Sequence, residues 1–105
     1  TGDFDAAVKA CETVDGCLRE FMEKALPKGY EVIVIADHGN ADYMKNDDGS
    51  PHTSHTMNPV PVFYLAEDTH GRKLKAGKLG DIAPTILTIM GLDIPEDMDG
   101  DVLFE

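Results

Sequence analysis

Apolar residues recur at Phe4, Ala7, Val8, Cys11, Val14, Leu18, Met22 and Ala25, at intervals of three and four. That spacing lays one continuous stripe along an α-helix and predicts that the stripe is buried. Thr1 or Asp3 stands where a side-chain oxygen caps the first turn, and Pro27 with Gly29 ends the helix. Gly16, inside the helix, costs about 1 kcal/mol relative to alanine, and close packing is the expected reason for it.

The pattern then changes. Glu31–Ala36 reads E-V-I-V-I-A, a β-branched run without clean alternation, which is the pattern of a strand buried on both faces of a parallel sheet. Val60–Ala66, V-P-V-F-Y-L-A, is a second run of this type, with Pro61 where no ladder N–H is needed. Between them, Asp37–Pro59 is polar and rich in turn formers: Gly39, Asn40, Asp47, Asp48, Gly49 and Pro51. A connection of that length is functional or disordered. Glu67–Lys78 reads as loop. Asp81–Met90 follows as a short helix with Ile82, Ile86, Leu87, Ile89 and Met90 inward, closed by Gly91. The tail from Leu92 to Glu105 is mostly irregular.

The order is helix, strand, long loop, strand, helix. Two interior-type strands cannot bury both faces alone, and their edges are left unpaired. The pattern asks for more sheet than the sequence contains, which points to an excised part of a larger α/β domain. A start at Thr1 without methionine agrees with a fragment.

Composition narrows the partners. A chain of 105 residues fits one small domain, and 42% hydrophobic residues suffice for a core. The formal net charge of −11 excludes nucleic acid and anionic membrane surfaces as natural partners. It also repels a phosphate ester unless metal ions or basic residues from elsewhere reverse the local field. Cys11 and Cys17 on one helix stand roughly 9 Å apart along the axis, beyond the roughly 7 Å that a disulfide spans. They read as reduced packing residues of a cytosolic protein. No stretch approaches the roughly 20 apolar residues of a membrane span, and no signal-peptide pattern opens the chain.

The chemistry concentrates in the long polar segment. A-D-H-G-N-A-D, Ala36–Asp42, follows directly on the first strand, and open α/β sheets bind ligands beyond the carboxyl ends of their strands. Asp37 and His38 together offer oxygen and nitrogen, which suits manganese or zinc better than calcium. Gly39 lets the backbone pass close by. P-H-T-S-H-T, Pro51–Thr56, adds His52 and His55, so three of the four histidines fall between the two strands.

Each of these residues also has a plainer reading. Asp-His after a strand serves as a turn or a helix cap, and His52 and His55 serve as ordinary loop histidines. Asn40 and Asp42 are turn residues by default, Asp47 and Asp48 a solvated loop tip, and Tyr43 and Met44 loop anchors. His70, Arg72, Lys73, Lys75 and Lys78 form a solvated basic face. The residues alone support a divalent-metal site without naming a reaction.

A resemblance takes the reading further. V-I-A-D-H-G-N-A-D with P-H-T-S-H-T-M-N-P-V-P-V resembles the C-terminal part of the cofactor-independent phosphoglycerate mutases, members of the alkaline phosphatase superfamily. The leading A-A-V-K-A-C-E-T-V-D-G-C-L and the later G-D-I-A-P-T-I-L-T-I-M-G-L are similar as well, so the likeness runs over residues 1–105. It implies a three-layer α/β/α domain of which this chain is the C-terminal, metal-binding portion. It also implies a cytoplasmic, glycolytic isomerase that interconverts 3-phosphoglycerate and 2-phosphoglycerate through a phosphoserine. The cofactors implied are two divalent ions, manganese by preference, with no requirement for 2,3-bisphosphoglycerate. Carried over by position, Asp37 and His38 ligate the ion that activates the serine. His55 ligates the ion that holds the substrate, with His52 in support.

The same resemblance sets limits. The family's enzymes are several times longer, and their nucleophilic serine has no counterpart here, since Ser50 and Ser54 stand in the wrong context. An Asp-x-x-x-His pair for the second ion lies just upstream of the position of Thr1 in the family. The chain therefore carries no catalytic nucleophile, and it is expected to be inactive alone. The competing readings are another superfamily phosphotransferase, such as a phosphopentomutase or a phosphatase, and a non-enzymatic acidic interaction domain.

Overall fold

The computed structural model describes residues 2–105, so a cap from Thr1 lies outside the described residues. Helix α1 spans Phe4–Ala25, the limits that the sequence predicts. Asp3 caps it, its carboxylate accepting from the Ala6 N–H at 3.1 Å. Glu20 and Lys24 pair at 3.0 Å, and Asp15 and Arg19 at 3.4 Å. Both pairs are exposed, worth about 0.3–0.5 kcal/mol each. A 3-10 turn at Leu26–Lys28 carries Pro27, and Gly29 ends it at φ 86°, a left-handed conformation that a side chain disfavours.

Strand β1 is Val32–Val34 and strand β2 is Phe63–Leu65. They pair antiparallel, with Val32 opposite Leu65, Ile33 opposite Tyr64 and Val34 opposite Phe63. This corrects the parallel reading of the two apolar runs. A parallel pair needs a crossover, usually a helix, to return the chain to the same end of the sheet. The connection here instead folds back on itself. Gly39 bridges Thr56 and Lys45 bridges Pro51, both antiparallel. Thr56 N–H donates to Gly39 O at 2.8 Å, His52 N–H to Met44 O at 2.8 Å and Asn46 N–H to Ser50 O at 2.9 Å. The excursion is an irregular two-stranded arm, and it delivers β2 alongside β1 in the opposite direction.

The chain divides into two compact units, Thr1–Glu67 and Asp68–Glu105. In the first, Ala25 is the buried apolar side chain among the described residues. Ala7, Leu18 and Met22 are half-buried, whereas Phe4, Val8, Cys11 and Val14 are exposed. The predicted stripe therefore exists but is largely uncovered. The cause is a shortage of surface: 22 residues of helix run about 33 Å, and two three-residue strands of about 10 Å cannot cover that length. Cys11 and Cys17 are exposed free thiols rather than packing residues. Among the described residues, nothing lies within 4 Å of the place a Gly16 side chain would occupy, so close packing does not explain this glycine.

The second unit holds a 3-10 turn at Leu79–Asp81 that runs into helix α2, Ile82–Ile89. Asp81, Pro84 and Thr85 are its buried residues, while Ile86 and Met90 are exposed, contrary to the inward placement expected of them. Thr85 explains the difference. Its hydroxyl donates to Asp81 O at 2.7 Å and accepts from Leu103 N–H at 2.8 Å. The C-terminal tail thus lies on the Pro84–Thr85 face, where Leu103 is buried. Arg72 stacks over Phe104, with its guanidinium 5.5 Å from the ring centre, so it is not part of a purely solvated basic face. Among the described residues, no helix is long and apolar enough to cross a membrane.

Candidate metal centre

β1 ends at Val34, and Asp37 and His38 follow within four residues. β2 begins at Phe63, opposite Val34, so the arm that carries His55 emerges at the same end of the ribbon. The Gly39–Thr56 bridge then fixes the crossing point, one residue after His38 on one strand of the arm and one residue after His55 on the other. His38 and His55 meet as a result. Their Nδ1 atoms are 2.7 Å apart and their ring centres 3.6 Å, edge to face.

The hydrogen-bond network assigns the proton between them. His38 Nδ1 also lies 3.0 Å from Gly39 O. A carbonyl oxygen only accepts, so in the tautomer that satisfies this contact His38 Nδ1 carries the hydrogen, shared between Gly39 O and the lone pair of His55 Nδ1. In a neutral ring the lone pair then sits on His38 Nε2, which faces Asp37 Oδ1 at 3.5 Å. Two lone-pair donors facing each other call for a cation or a ring proton between them. The Asp37 side chain is 84% exposed, so it swings toward an ion at little cost.

That donor set fits a borderline divalent ion, with one carboxylate and one imidazole meeting at one edge of His38. Asp37 and His55 lie at opposite edges of the His38 ring. This is why, among the described residues, no three acidic, histidine or cysteine side chains enclose a single ion. The structure brings all three predicted site residues together without closing them around one point.

His52 stands apart from that pair. Its ring packs edge-on against Tyr43 at 4.8 Å, and its buried Nε2 has no hydrogen-bond partner among the described residues. It lines a pocket of about 280 Å³ with Asp3, Ala7, Asn40 and Met44. Tyr43 and Met44 do anchor the arm, through the His52 ring and the His52 N–H. His70 belongs to the other unit, where it takes a left-handed turn at φ 52° with its N–H on Asp68.

Sequence reasoning passed over Asp42, Thr56 and Asn58. Thr56 Oγ1 donates to both Asp42 oxygens at 3.2 and 3.0 Å, and Asn58 Nδ2 donates to Asp42 Oδ2 at 2.5 Å. These bonds favour the ionised form and hold the Asp42 carboxyl below its ordinary range. The Asn58 bond is the largest influence, partial desolvation opposes it, and the Thr56 bond adds to it. The available signal was position, since Gly39 and Thr56 are the residues that directly follow His38 and His55.

With this fold and this donor set, the chain belongs to the metalloenzyme superfamily, whose family model matches residues 1–94. Three of its relatives share one name. The chain is 56% identical over 103 residues to the 2,3-bisphosphoglycerate-independent phosphoglycerate mutase of Salinibacter ruber, a match covering 98% of this chain and 20% of that enzyme. It is 48% identical over 105 residues to the enzyme of that name from Bacteroides thetaiotaomicron, covering 100% of this chain and 21% of that one. For the Desulforudis audaxviator enzyme the figures are 50% over 100 residues, 95% and 20%. The chain thus spans about a fifth of the length of the relatives it matches.

Proposed function

We propose that this chain is the part of a 2,3-bisphosphoglycerate-independent phosphoglycerate mutase that supplies ligands to two divalent metal ions. The observation that carries the reading is the meeting of His38 with His55 on one edge of the ring and with Asp37 on the other. That arrangement suits a divided assignment, in which Asp37 and His38 hold one ion and His55 the other, with His52 in support. The oxygen and nitrogen donors by themselves suit manganese or zinc, and manganese is the ion that the resemblance to the phosphoglycerate mutases implies. When bound, the ions neutralise the phosphoryl group and lower the pKa of a serine nucleophile.

The substrate is 3-phosphoglycerate or 2-phosphoglycerate, and the setting is cytoplasmic glycolysis. The chain's own side chains carry net charge −11. Bound cations, together with basic residues of the longer enzyme, turn the local field toward the phosphate ester. The remaining ligands and the serine come from the four-fifths of the relatives' length that this chain does not span. The names that these relatives carry favour the mutase over a phosphopentomutase or a phosphatase, and membership of a metalloenzyme superfamily speaks against an interaction domain with incidental histidines.

The test is a manganese titration of the isotopically labelled chain followed by NMR, in which the paramagnetic ion broadens nearby signals. The His38 and His55 ring signals are expected to broaden first and those of His70 last. Broadening that is uniform, or that reaches His70 first, would overturn the assignment. A second arm grafts the chain in place of the matching fifth of the Salinibacter ruber enzyme. There, His38→Ala should lower mutase turnover at least tenfold, about 1.4 kcal/mol in barrier.

A further inference from the structure

The Asp42 carboxylate has no place in the ligand assignment, yet it collects two side chains from the opposite strand of the arm. We infer that Asp42, acting through Thr56 and Asn58, is a positioning residue: a latch that sets where His55 stands against His38. The inference rests on the metal-site reading above for its functional meaning, and on geometry alone for the latch.

Four observations carry it. First, Thr56 is the neighbour of His55, and Gly39 is the neighbour of His38, so whatever fixes Thr56 on Gly39 fixes the two imidazoles on each other. Second, Thr56 is held there twice, by its N–H on Gly39 O at 2.8 Å and by its hydroxyl on both Asp42 oxygens. Third, Asn58 closes the carboxylate from the same side. Fourth, the space is full, because a side chain at Gly39 would collide with Thr56 Oγ1 and come within 2.7 Å of Asp42 Oδ1.

Both Asp42 oxygens are engaged by these donors, so binding an ion through either would give up part of the latch. A carboxylate suits the task better than a neutral acceptor, since hydrogen bonds to an ionised group are shorter and stronger. Asp42 is kept in that form by the same two partners. The arm is otherwise exposed over most of its length, and beside the backbone bridges and the Tyr43–His52 contact the Asp42 contacts are what hold its register at the crossing. A slip of one residue in an antiparallel pair turns His55 to the other face, which would separate it from His38.

The experiment uses the full 105-residue chain with three variants, Asp42→Ala, Thr56→Val and Thr56→Ser. Thr56→Val keeps the shape and removes the hydroxyl, whereas Thr56→Ser keeps the hydroxyl. Two readouts are taken: the nuclear Overhauser contact between the His38 and His55 rings without metal, and Mn2+ affinity from the free-ion electron paramagnetic resonance signal. The ring contact is expected to vanish in Asp42→Ala and Thr56→Val and to persist in Thr56→Ser. Mn2+ affinity at the His55 site should fall at least tenfold in the first two and less than about threefold in the third, while the Asp37–His38 site should change little. The far-UV circular dichroism of α1 should not change.

Retention of the ring contact in both Asp42→Ala and Thr56→Val would overturn the latch. Should Asp42→Ala lose the helix signal, the Thr56→Val and Thr56→Ser pair decides the matter, since the two differ in the hydroxyl. His38→Ala separates the two readings. If it leaves Mn2+ affinity intact, the metal assignment falls, while the ring contact in the other variants still decides the latch.

Discussion

His55 Nδ1 lies 2.7 Å from His38 Nδ1 although 17 positions separate the two residues. Their approach is produced by an arm without regular secondary structure, closed one residue further on by Gly39 and Thr56. The closest point of the arm and the site chemistry therefore coincide, and a change at the crossing should be felt by both imidazoles.

Gly39→Ala tests that coupling. The added methyl meets Thr56 Oγ1 and Asp42 Oδ1, and overpacking of this kind costs about 1–3 kcal/mol when the neighbours are fixed. The Thr56 amide, which donates to Gly39 O, is expected to lose at least tenfold of its hydrogen-exchange protection, about 1.4 kcal/mol of local opening. The amides of α1 should keep theirs. Unchanged protection at Thr56 would show that the arm accommodates a side chain and that the crossing is loose.

Gly16→Ala should stabilise the chain. The position is in the interior of α1, its φ is not positive, and open space surrounds it. Alanine then gains helix propensity worth about 1 kcal/mol with no steric penalty. Urea denaturation read at 222 nm should show a higher midpoint at unchanged slope. A lower midpoint would reveal a close neighbour to this face that the described residues do not include.

Acid should loosen the second unit. The Asp81 carboxylate, 3% exposed, accepts from the Lys78 N–H and the Asp101 N–H, both at 2.9 Å. The Lys78 bond, followed by the Asp101 bond, holds its carboxyl below the ordinary value. The folded state therefore binds this proton less readily than the unfolded chain does. Its contribution to stability is complete above the unfolded value of about 3.9 and is lost as pH falls through the lower folded value. The Asp101 and Leu103 amides should lose protection below about pH 4. Asp81→Asn should show reduced protection already at pH 7 and a flatter dependence on acid. Equal pH profiles for the two proteins would remove Asp81 from this role.

Helix α1 was legible to within a few residues because its signals are local: Asp3, one of two candidates, caps it, Pro27 cannot continue it, and Gly29 takes the left-handed turn. The strands were legible as segments but not in direction. Runs such as E-V-I-V-I-A lack the alternation that would mark a face, and pairing is decided by Gly39 and Thr56, far apart in sequence. Burial was not legible either. Val8 and Val14 have helical spacing, yet what covers them depends on how much sheet is present, and three-residue strands supply little. At the site, Asp37, His38 and His55 announce themselves by donor type. Asp42 does not, because an aspartate after Gly-Asn-Ala serves equally well as a turn residue. Only its contacts with Thr56 and Asn58 distinguish the two.

The chain alone should show no phosphoglycerate mutase activity, even in excess manganese. No serine in it occupies a matching context, and Asp37, His38 and His55 do not enclose one ion among the described residues. Catalytic metal sites usually take three protein ligands and structural sites four, whereas the proposed division leaves two for one ion and one for the other. Mn2+ binding should therefore be weak, while the net charge of −11 repels a phosphoglycerate anion. The measurement is a coupled assay from 3-phosphoglycerate to 2-phosphoglycerate, with the Salinibacter ruber enzyme as the positive control. The graft of this chain into that enzyme serves as the test of competence. Activity in the graft with none in the isolated chain is the expected result. Turnover that follows the isolated chain through purification would mean that a nucleophile lies within these 105 residues, and the proposed division of labour between this segment and the rest of the enzyme would be wrong.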